Sequence, residues 1–571
     1  MRRNNKTAAK VFTFMLCLTL LTGCNSTGND SDKGGNTVTA TQSPDAGTDN
    51  GDKNQAGNTD DKNNTDEGKS SEEITNTVTP DAGNENTDET GKAGEESGKS
   101  GDNASSTEDF TIPAQAAYKK INVEYKNKDL ETSFVPGDCT SIVFSEDSIN
   151  AVGKETEISN VNGRQIIKIT KKGDYLISGS CSNGQIIVEA NKEKDVRLIL
   201  NGLSLSCADS APIYEQQCDK MVITLADGSE NVLSSDSEYV YDNVEKKQPD
   251  AVIFAKDDLV INGNGKLTVD SAYMEGIHST DSVKLISGNI TVSSGDTGVR
   301  GKEAVIIKEA DINVTSKGDG IKTTYSDNTS LGYVIIEGGN VKVYTAKDGI
   351  QATGHIQITG GIIDITTDNG VAHADSDEDS KSAKGIKSDN NIYISGSDIK
   401  ISSTEDAINA NGNVIVDSGS LNLTSMDDAV KADGSIVVSD GTVEIPNAKE
   451  GLKAMNVTVT GGDVIITTED DGIKASSSKD SDDDKVVFGE EDPFAVAENT
   501  YIAITGGNVN VTSGKDSLDS DGNLYITGGS ITVSGSEDGS VGVDYKGAAY
   551  ITGGTVEAKG VGDIKDKILN K

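Results

Sequence analysis

A repeat of about 22 residues constrains this chain more than any other feature of its sequence. Each unit contains a short alternating strand, a Gly-containing turn, a second alternating strand, and then an acidic residue followed by a small and an aliphatic residue. Residues 334–350, 457–473 and 524–539 show the pattern clearly. Related units begin near Leu259, Val283, Val305, Ile356, Ile392, Val414, Ile436, Ile502 and Ala549.

Such a unit is too short to bury a hydrophobic core by itself. Units must therefore stack, so that the strands of one coil hydrogen-bond to those of the next. Consensus leucines are sparse and no segment has helical periodicity, which disfavours a leucine-rich repeat. The sequence predicts an all-β fold, a parallel β-helix whose coils are spaced by about 4.8 Å. We expect regular coils over residues 251–562. Residues 110–250, where the period is looser, are predicted to form the first coils and a cap.

The start of the chain predicts export. Four cationic residues within the first ten precede an apolar run, residues 11–21, which is too short to span a bilayer. The tetrad Leu-Thr-Gly-Cys at 21–24 then looks like a bacterial lipobox, in which Cys24 becomes the lipidated first residue of the mature chain. We predict a lipoprotein signal peptide over residues 1–23 and a lipid-anchored protein at the extracellular cell surface. An ordinary signal peptide that contains a cysteine is the alternative.

Residues 24–109 are almost entirely polar, with too few apolar side chains to offset the entropy of ordering a chain. They are predicted to be a disordered tether with a root-mean-square span of about 50 Å. The net charge of the whole chain, −42, excludes nucleic acid as a natural partner. It also opposes direct binding of an acidic polysaccharide, and bound metal ions would relieve that conflict.

The acidic residue of each unit should form a ladder along the stacked coils. Carboxylates about 5 Å apart repel each other, so the ladder must be neutralised. A lysine three residues later in many coils indicates an Asp/Lys surface ladder as the alternative to bound metal. The acidic positions are Asp319, Asp348, Asp406, Asp428, Glu450, Asp471, Asp516 and Asp538, and the lysines are Lys322, Lys431, Lys453 and Lys474.

Two acidic clusters are predicted to bind Ca²⁺, which favours six to eight oxygen ligands. In the coil at residues 516–521 an acidic residue replaces the lysine, and neighbouring coils add further carboxylates. This first cluster comprises Asp516, Asp519, Asp521, Asp470, Asp471, Asp538 and Asp544. The second comprises Asp406, Asn409, Asp427, Asp428 and Asp433. Neither matches the EF-hand loop.

Aromatic residues that could stack on sugar rings are few, because the chain has no Trp. Tyr393, Tyr525 and Tyr550 occupy the same outward strand position and are the candidates for carbohydrate binding. A tyrosine ladder that packs against itself is the alternative. We predict no catalytic residues: the one arginine of the repeat region, Arg300, is distant in coil order from the first acidic cluster, and no convincing histidine completes a hydrolase triad.

The Gly-Gly turns and Asp-Gly-Ile-Lys-Ala corners, together with residues 173–179 and 200–205, resemble a bacterial family of secreted carbohydrate-binding domains. The resemblance covers about residues 140–560. It implies a right-handed parallel β-helix similar to polysaccharide lyases, calcium binding, and association with acidic plant polysaccharides such as polygalacturonate and with cellulose.

The predicted function is therefore non-catalytic, calcium-dependent binding of polysaccharide at the cell surface. Two alternatives stay open at this point. One is a polysaccharide lyase or hydrolase that acts on uronate polymers, since a fold alone does not assign a function. The other is a surface adhesin that binds proteins.

Overall fold

The computed structural model describes residues 112–559, with the exception of 115–116, 237, 242, 328–329, 371–381, 478–496, 498 and 536–541. The predicted signal peptide, Cys24 and the predicted tether lie outside the described residues, and so does Asp538.

The chain winds through three parallel ladders of strands, called sheets A, B and C here, and each turn adds one strand to each ladder. Sheet A contains β4 (Arg164–Ile169), β6 (Gly184–Glu189), β8 (Ile213–Gln217), β11 (Ala251–Ala255), β14 (Glu275–Ser279), β17 (Val299–Gly301), β20 (Ile321–Thr323), β23 (Ile350–Ala352), β26 (Ile386–Ser388), β29 (Ile408–Ala410), the first halves of β32 (Val430–Val438) and β34 (Leu452–Val459), β36 (Ile473–Ala475), β39 (Leu518–Ser520) and β42 (Val543–Tyr545).

Sheet B contains β1 (Thr140–Ser145), the first halves of β5 (Gly173–Cys181) and β7 (Asp195–Cys207), β9 (Lys220–Leu225), β12 (Asp258–Gly263), β15 (Ser282–Leu285), β18 (Ala304–Ile307), β21 (Tyr333–Ile336), β24 (Ile356–Ile358), β27 (Ile392–Ile394), β30 (Val414–Val416), the second halves of β32 and β34, β37 (Tyr501–Ile504), β40 (Asn523–Ile526) and β43 (Ala549–Ile551).

Sheet C contains the second halves of β5 and β7, β10 (Glu230–Ser235), β13 (Lys266–Ser271), β16 (Asn289–Ser294), β19 (Asp311–Ser316), β22 (Asn340–Thr345), β25 (Ile362–Thr367), β28 (Ser397–Ser403), β31 (Gly419–Ser425), β33 (Thr442–Asn447), β35 (Asp463–Thr467), β38 (Asn508–Thr512), β41 (Ser530–Ser534) and β44 (Thr555–Lys559).

The strand register shows how the coils stack. In sheet A, Ile277 pairs with Val299 and Val299 pairs with Ile321, each a step of 22 residues along the chain. Steps are longer where a loop interrupts a coil, as between Ile473 and Leu518. The predicted all-β solenoid architecture is confirmed, and its right-handed sense stays a prediction.

The hydrophobic core runs through the centre of the stack. Ile277, Val299 and Ile321 point inward and are fully buried, and each such side chain contributes about 1.5–3 kcal/mol by leaving water. The turns between sheets B and C need glycine. Gly339 has φ +81°, and a Cβ there would lie 2.2 Å from the carbonyl oxygen of Ala310 on the coil below, so no other residue fits.

The first coils end in a cap. β2 (Ser148–Val152) pairs antiparallel with β1, and β3 (Glu157–Val161) pairs antiparallel with β4, which gives the end strands of sheets B and A a partner. Register steps here vary, from 19 residues between Gln165 and Gly184 to 40 between Ile213 and Ile253. Four cysteines in this part of the chain are free thiols: Cys139, Cys181, Cys207 and Cys218.

Residues 112–131, named the axial segment here, differ from the expectation of coils over residues 110–250. The described residues of this segment form no strand, and they cross the coils along the outward face of sheet B. They include the short helix α1 (Asn127–Leu130), and a 3-10 turn, Pro136–Asp138, leads from them to the first coil. No helix among the described residues has the length and apolar character needed to cross a membrane.

The outward face that the axial segment covers is one column of side chains, one from each coil. It consists of Val222, Val260, Lys284, Ile306, Ile335, Gln357, Tyr393, Ile415, Val437, Thr458, Ala503, Tyr525 and Tyr550.

Candidate functional site

The outward face of sheet A carries a second column, in which six of the thirteen side chains are cationic. Residues alternate inward and outward along each strand, so stacking aligns one outward side chain from every coil. The column consists of Tyr214, Phe254, His278, Arg300, Lys322, Gln351, Lys387, Asn409, Lys431, Lys453, Lys474, Asp519 and Asp544.

The predicted acidic ladder lies beside this column, and its members from Asp319 to Asp471 are buried, whereas Asp516 is half-buried. Lysines of the column reach back to it: the Nζ atoms of Lys322 and Lys474 lie 2.6 Å from carboxylate oxygens of Asp319 and Asp471, and Lys453 Nζ lies 2.7 Å from Glu450. For these coils the structure has the Asp/Lys ladder that the sequence offered as the alternative to bound metal.

The second predicted calcium cluster is partly assembled. Oxygen atoms of Asp406, Asp427 and Asp428 lie within 4.8 Å of one another, and Asn409 donates a 2.6 Å hydrogen bond to Asp406. Burial, followed by the charge of Asp406, raises the pKa of Asp428 to about 8. Its Oδ1 atom has no hydrogen-bond partner among the described residues. Asp433 is exposed and lies outside the group.

Carboxylates pair with lysines in both predicted clusters, and in the second cluster Lys384, Lys449 and Lys453 lie 3.7, 3.3 and 3.5 Å from them. The pairs of the first cluster are as follows. Asp519 lies 3.5 Å from Lys474, Asp521 lies 2.6 Å from Lys546, and Asp470 pairs with Lys515.

The other members of that cluster lie nearby. The backbone N–H of Asp516 donates to Asp471, and Asp544 neighbours Asp519 in the strand register. Among the described residues, these carboxylates do not form a group as tight as that around Asp428. Lys515 and Lys546 could not be predicted as partners of these carboxylates, because neither lysine follows the three-residue spacing.

The tyrosines predicted to bind sugar lie in the outward column of sheet B. Tyr525 and Tyr550 stack on each other, with ring centroids 5.2 Å apart, and Tyr393 stacks on Tyr118 of the axial segment at 4.9 Å. Tyr393 is 3% exposed and Tyr525 is 7% exposed. These two rings are therefore covered by the protein itself, which matches the alternative of self-packing more closely than a sugar platform.

A cationic depression, missed by the sequence reasoning, lies where sheet A turns into sheet B. Its volume is about 530 Å³, and it lies at coils β11 to β20. Polar side chains such as Gln216 and Asn243 complete its lining. Five cations and two carboxylates line it: Lys192, Lys246, Lys256, Arg300 and Lys302, with Asp257 and Asp281. It is a locally positive surface on a chain whose net charge is −42.

Two of these lysines are positioned by aromatic rings. Lys256 Nζ lies 5.6 Å from the ring centre of Tyr214, and Lys302 Nζ lies 5.1 Å from that of Tyr325. Cation–π contacts of this kind orient an ammonium group without neutralising its charge. Both lysines therefore keep a full positive charge available to a ligand.

Buried ionisable groups support the floor of the depression. Arg300 Nη2 lies 2.7 Å from Asp250 and its Nε lies 2.9 Å from Glu275. His278 Nδ1 lies 2.5 Å from Asp250. Burial raises the pKa of Glu275 well above its usual value, and burial lowers the pKa of His278, so that its ring is neutral at pH 7. Arg300 is the cation that compensates the carboxylates.

Comparison with known proteins identifies relatives. A family model described as carbohydrate-binding domain-containing protein matches residues 163–429 and 418–565. A carbohydrate-binding domain-containing protein from Acetivibrio thermocellus is 35% identical over 229 residues, which are 39% of this chain and 78% of the relative. A solved polysaccharide lyase-like protein from C. thermocellum, a gadolinium derivative, is 32% identical and aligns with 46% of this chain and 96% of its own. Its TM-score of 0.40 is too low to support an argument.

Proposed function

Because this chain belongs to the family of carbohydrate-binding domain-containing proteins, we propose that it binds an acidic polysaccharide, such as polygalacturonate, through the cationic depression. The observation that carries this proposal is the concentration of five cations in one concave surface of a strongly acidic protein. The net charge of the whole chain, −42, opposes binding of a polyuronate, so a local excess of cations is needed. Carboxylates of the sugar would pair with Lys256 and Lys302. The rings of Tyr214 and Tyr325 hold these two ammonium groups in place.

Calcium is proposed as a second contribution, at Asp406, Asp427 and Asp428. The buried Oδ1 of Asp428 lacks a hydrogen-bond partner among the described residues, while Oδ2 lies 3.5 Å from Lys453 Nζ. A divalent cation would bind the unpartnered oxygen. Bound Ca²⁺ would hold Asp428 ionised and could coordinate a uronate carboxylate. The set provides three carboxylates, so water or sugar oxygens would complete the coordination.

Two features support binding rather than lyase chemistry. Arg300 is paired with two carboxylates, so it is not free to accept a proton from a sugar. It also lies four coils from Asn409 in the column of sheet A, about 19 Å away, which is too far for this arginine and calcium at Asp406 to act on one uronate. The adhesin alternative has less support, since the apolar outward face of sheet B is covered by the axial segment.

Location at the cell surface is proposed from the tetrad that ends in Cys24. Mass spectrometry of the N-terminal peptide of the mature chain tests it. A diacylglycerol on Cys24 is expected, and an unmodified N-terminus would contradict the lipid anchor.

The function is tested by calorimetric titration of the protein with polygalacturonate, in Ca²⁺ and again in excess chelator. We expect saturable binding that chelator weakens and that added salt weakens further, because salt screens exposed charges. The same mixture is assayed for unsaturated sugar, and none is expected. Formation of unsaturated product would make the protein a lyase, and equal binding of a neutral glucan would contradict recognition of carboxylates.

A further inference from the structure

The outward column of sheet B is apolar where a solenoid surface is normally polar. A sheet exposed on one face alternates between apolar and polar residues, but strands such as β18 and β37 are buried along their whole length. Ile306 and Ile335 point away from the core and are nevertheless 3% and 0% exposed. The column therefore requires a cover, and the axial segment provides it.

We propose that the outward column of sheet B is a docking site for an extended peptide, that its occupant is the axial segment, and that this segment docks as a separable element. The segment pairs with no strand among the described residues, so its attachment depends on side chains and not on a shared sheet. Three groups of contacts carry the proposal, one at each end and one in the middle.

The end nearest the last coils is aromatic. Ile112 packs against the cluster of Tyr501, Ala503 and Tyr525, and Tyr118 stacks face to face on Tyr393. Stacked rings and a partly buried aliphatic side chain are contacts that anchor peptides in apolar grooves. This part of the segment binds through side chains inserted against a preformed column.

In the middle, one side chain of the column recognises the peptide backbone. Gln357 accepts a 2.7 Å hydrogen bond from the N–H of Ile121 and donates a 3.0 Å hydrogen bond to the carbonyl oxygen of the same residue. Gln357 is 4% exposed, so both hydrogen bonds form in a buried place. A glutamine amide that bonds to both backbone groups of one residue recognises the peptide backbone. This recognition does not depend on the side chain of the residue that is bound.

The end nearest the first coils is held by charge. Asp129 is fully buried, pairs with Lys220, and lies 3.1 Å from Lys284. Asn262 donates hydrogen bonds of 3.0 and 3.2 Å to the carbonyl oxygens of Asp129 and Glu131. The pairing of Asp129 with Lys220 and Lys284 fixes the direction in which the segment runs along the column. In the reverse direction Tyr118 would lie against these lysines.

The site has a consequence for the rest of the chain. Ile112, the first described residue, lies at the coil of Tyr525. A pulling force applied to the N-terminal side of Ile112 would reach the axial segment before any coil. Docking also keeps Tyr393 and Tyr525 covered.

The test uses the full chain with a protease recognition sequence inserted after Gly137, in the exposed turn that follows the segment. The protein is cleaved under reducing conditions and passed over a size-exclusion column, with circular dichroism to follow the strands. We expect the N-terminal fragment to remain bound to an intact solenoid. Immediate separation of the two pieces, or unfolding of the solenoid on cleavage, would each overturn the proposal.

Point variants of the cleavable chain test the assignment of contacts. Tyr118→Ala should weaken retention of the fragment about tenfold, since a stacked, buried ring is lost. Tyr273→Ala removes an exposed tyrosine that the axial segment does not contact, and it should leave retention unchanged. Equal effects of the two variants would contradict docking at the column of sheet B.

Discussion

Replacing Arg300 with alanine is expected to lower the free energy of unfolding by about 3 kcal/mol at pH 7, since it leaves the carboxylates of Asp250 and Glu275 buried without their cation. The loss should shrink as the pH falls. Burial already raises the pKa of Glu275 well above its usual value, and removal of the arginine raises it further, so the carboxyl becomes neutral and the repulsion disappears.

Urea denaturation at several pH values measures this effect. Arg300→Lys should restore part of the stability. It keeps the positive charge, but a lysine cannot contact Asp250 and Glu275 through two separate nitrogen atoms as the guanidinium does. Lys342→Ala removes a cation from the exposed face of sheet C and should change stability by less than about 0.5 kcal/mol. A loss for Arg300→Ala as small as that of Lys342→Ala would show that Arg300 does not compensate the buried carboxylates.

The double variant Lys256→Ala/Lys302→Ala is expected to weaken binding of polygalacturonate at least about tenfold. Each lysine would lose one charge-assisted hydrogen bond to the sugar, and together these losses exceed the 1.4 kcal/mol that corresponds to tenfold. Calorimetry with the parent protein as reference measures the change, and an unchanged melting temperature would show that the fold is intact.

A matched control separates local recognition from net charge. Lys342→Ala/Lys400→Ala removes the same two charges from exposed positions in the outward face of sheet C. This control should bind about as well as the parent. If both double variants weakened binding equally, long-range attraction would account for the effect, and the depression would not be the site.

The sequence predicted the solenoid well because the repeat itself carries the information. Inward positions such as Ile277 and Val299 recur with one period, and glycines such as Gly339 recur at turns where a Cβ would collide with the coil below. The acidic corner and its lysine also follow this period, so the Asp/Lys ladder could be inferred without coordinates.

The cationic depression could not be predicted in the same way. Lys192 and Lys246 come from the less regular first part of the chain, where the register steps vary, and they reach Lys256 and Lys302 only through the fold. Arg300 was noticed in the sequence, but its partner Asp250 belongs to a coil outside the regular repeat. The sequence repeat shows which residues of neighbouring coils are aligned only where the repeat length is constant.

The cover over sheet B did leave a signal in the sequence. The stretches 305–307, 334–336 and 414–416 are apolar at every position, which is typical of strands buried on both faces. Alternation of inward and outward side chains along a strand predicts that Tyr393 and Tyr525 face outward, which made them candidates for sugar binding. The identity of the cover, residues 112–131, was not readable because those residues show no repeat.

The central claim is that acidic sugar binds in the cationic depression, and a crystal structure of the protein with an oligogalacturonate and Ca²⁺ tests it most directly. The expected result is a sugar carboxylate within hydrogen-bonding distance of Lys256 or Lys302. A sugar bound only to the outward face of sheet C, or only at Asp406 and Asp428 with the depression empty, would contradict it.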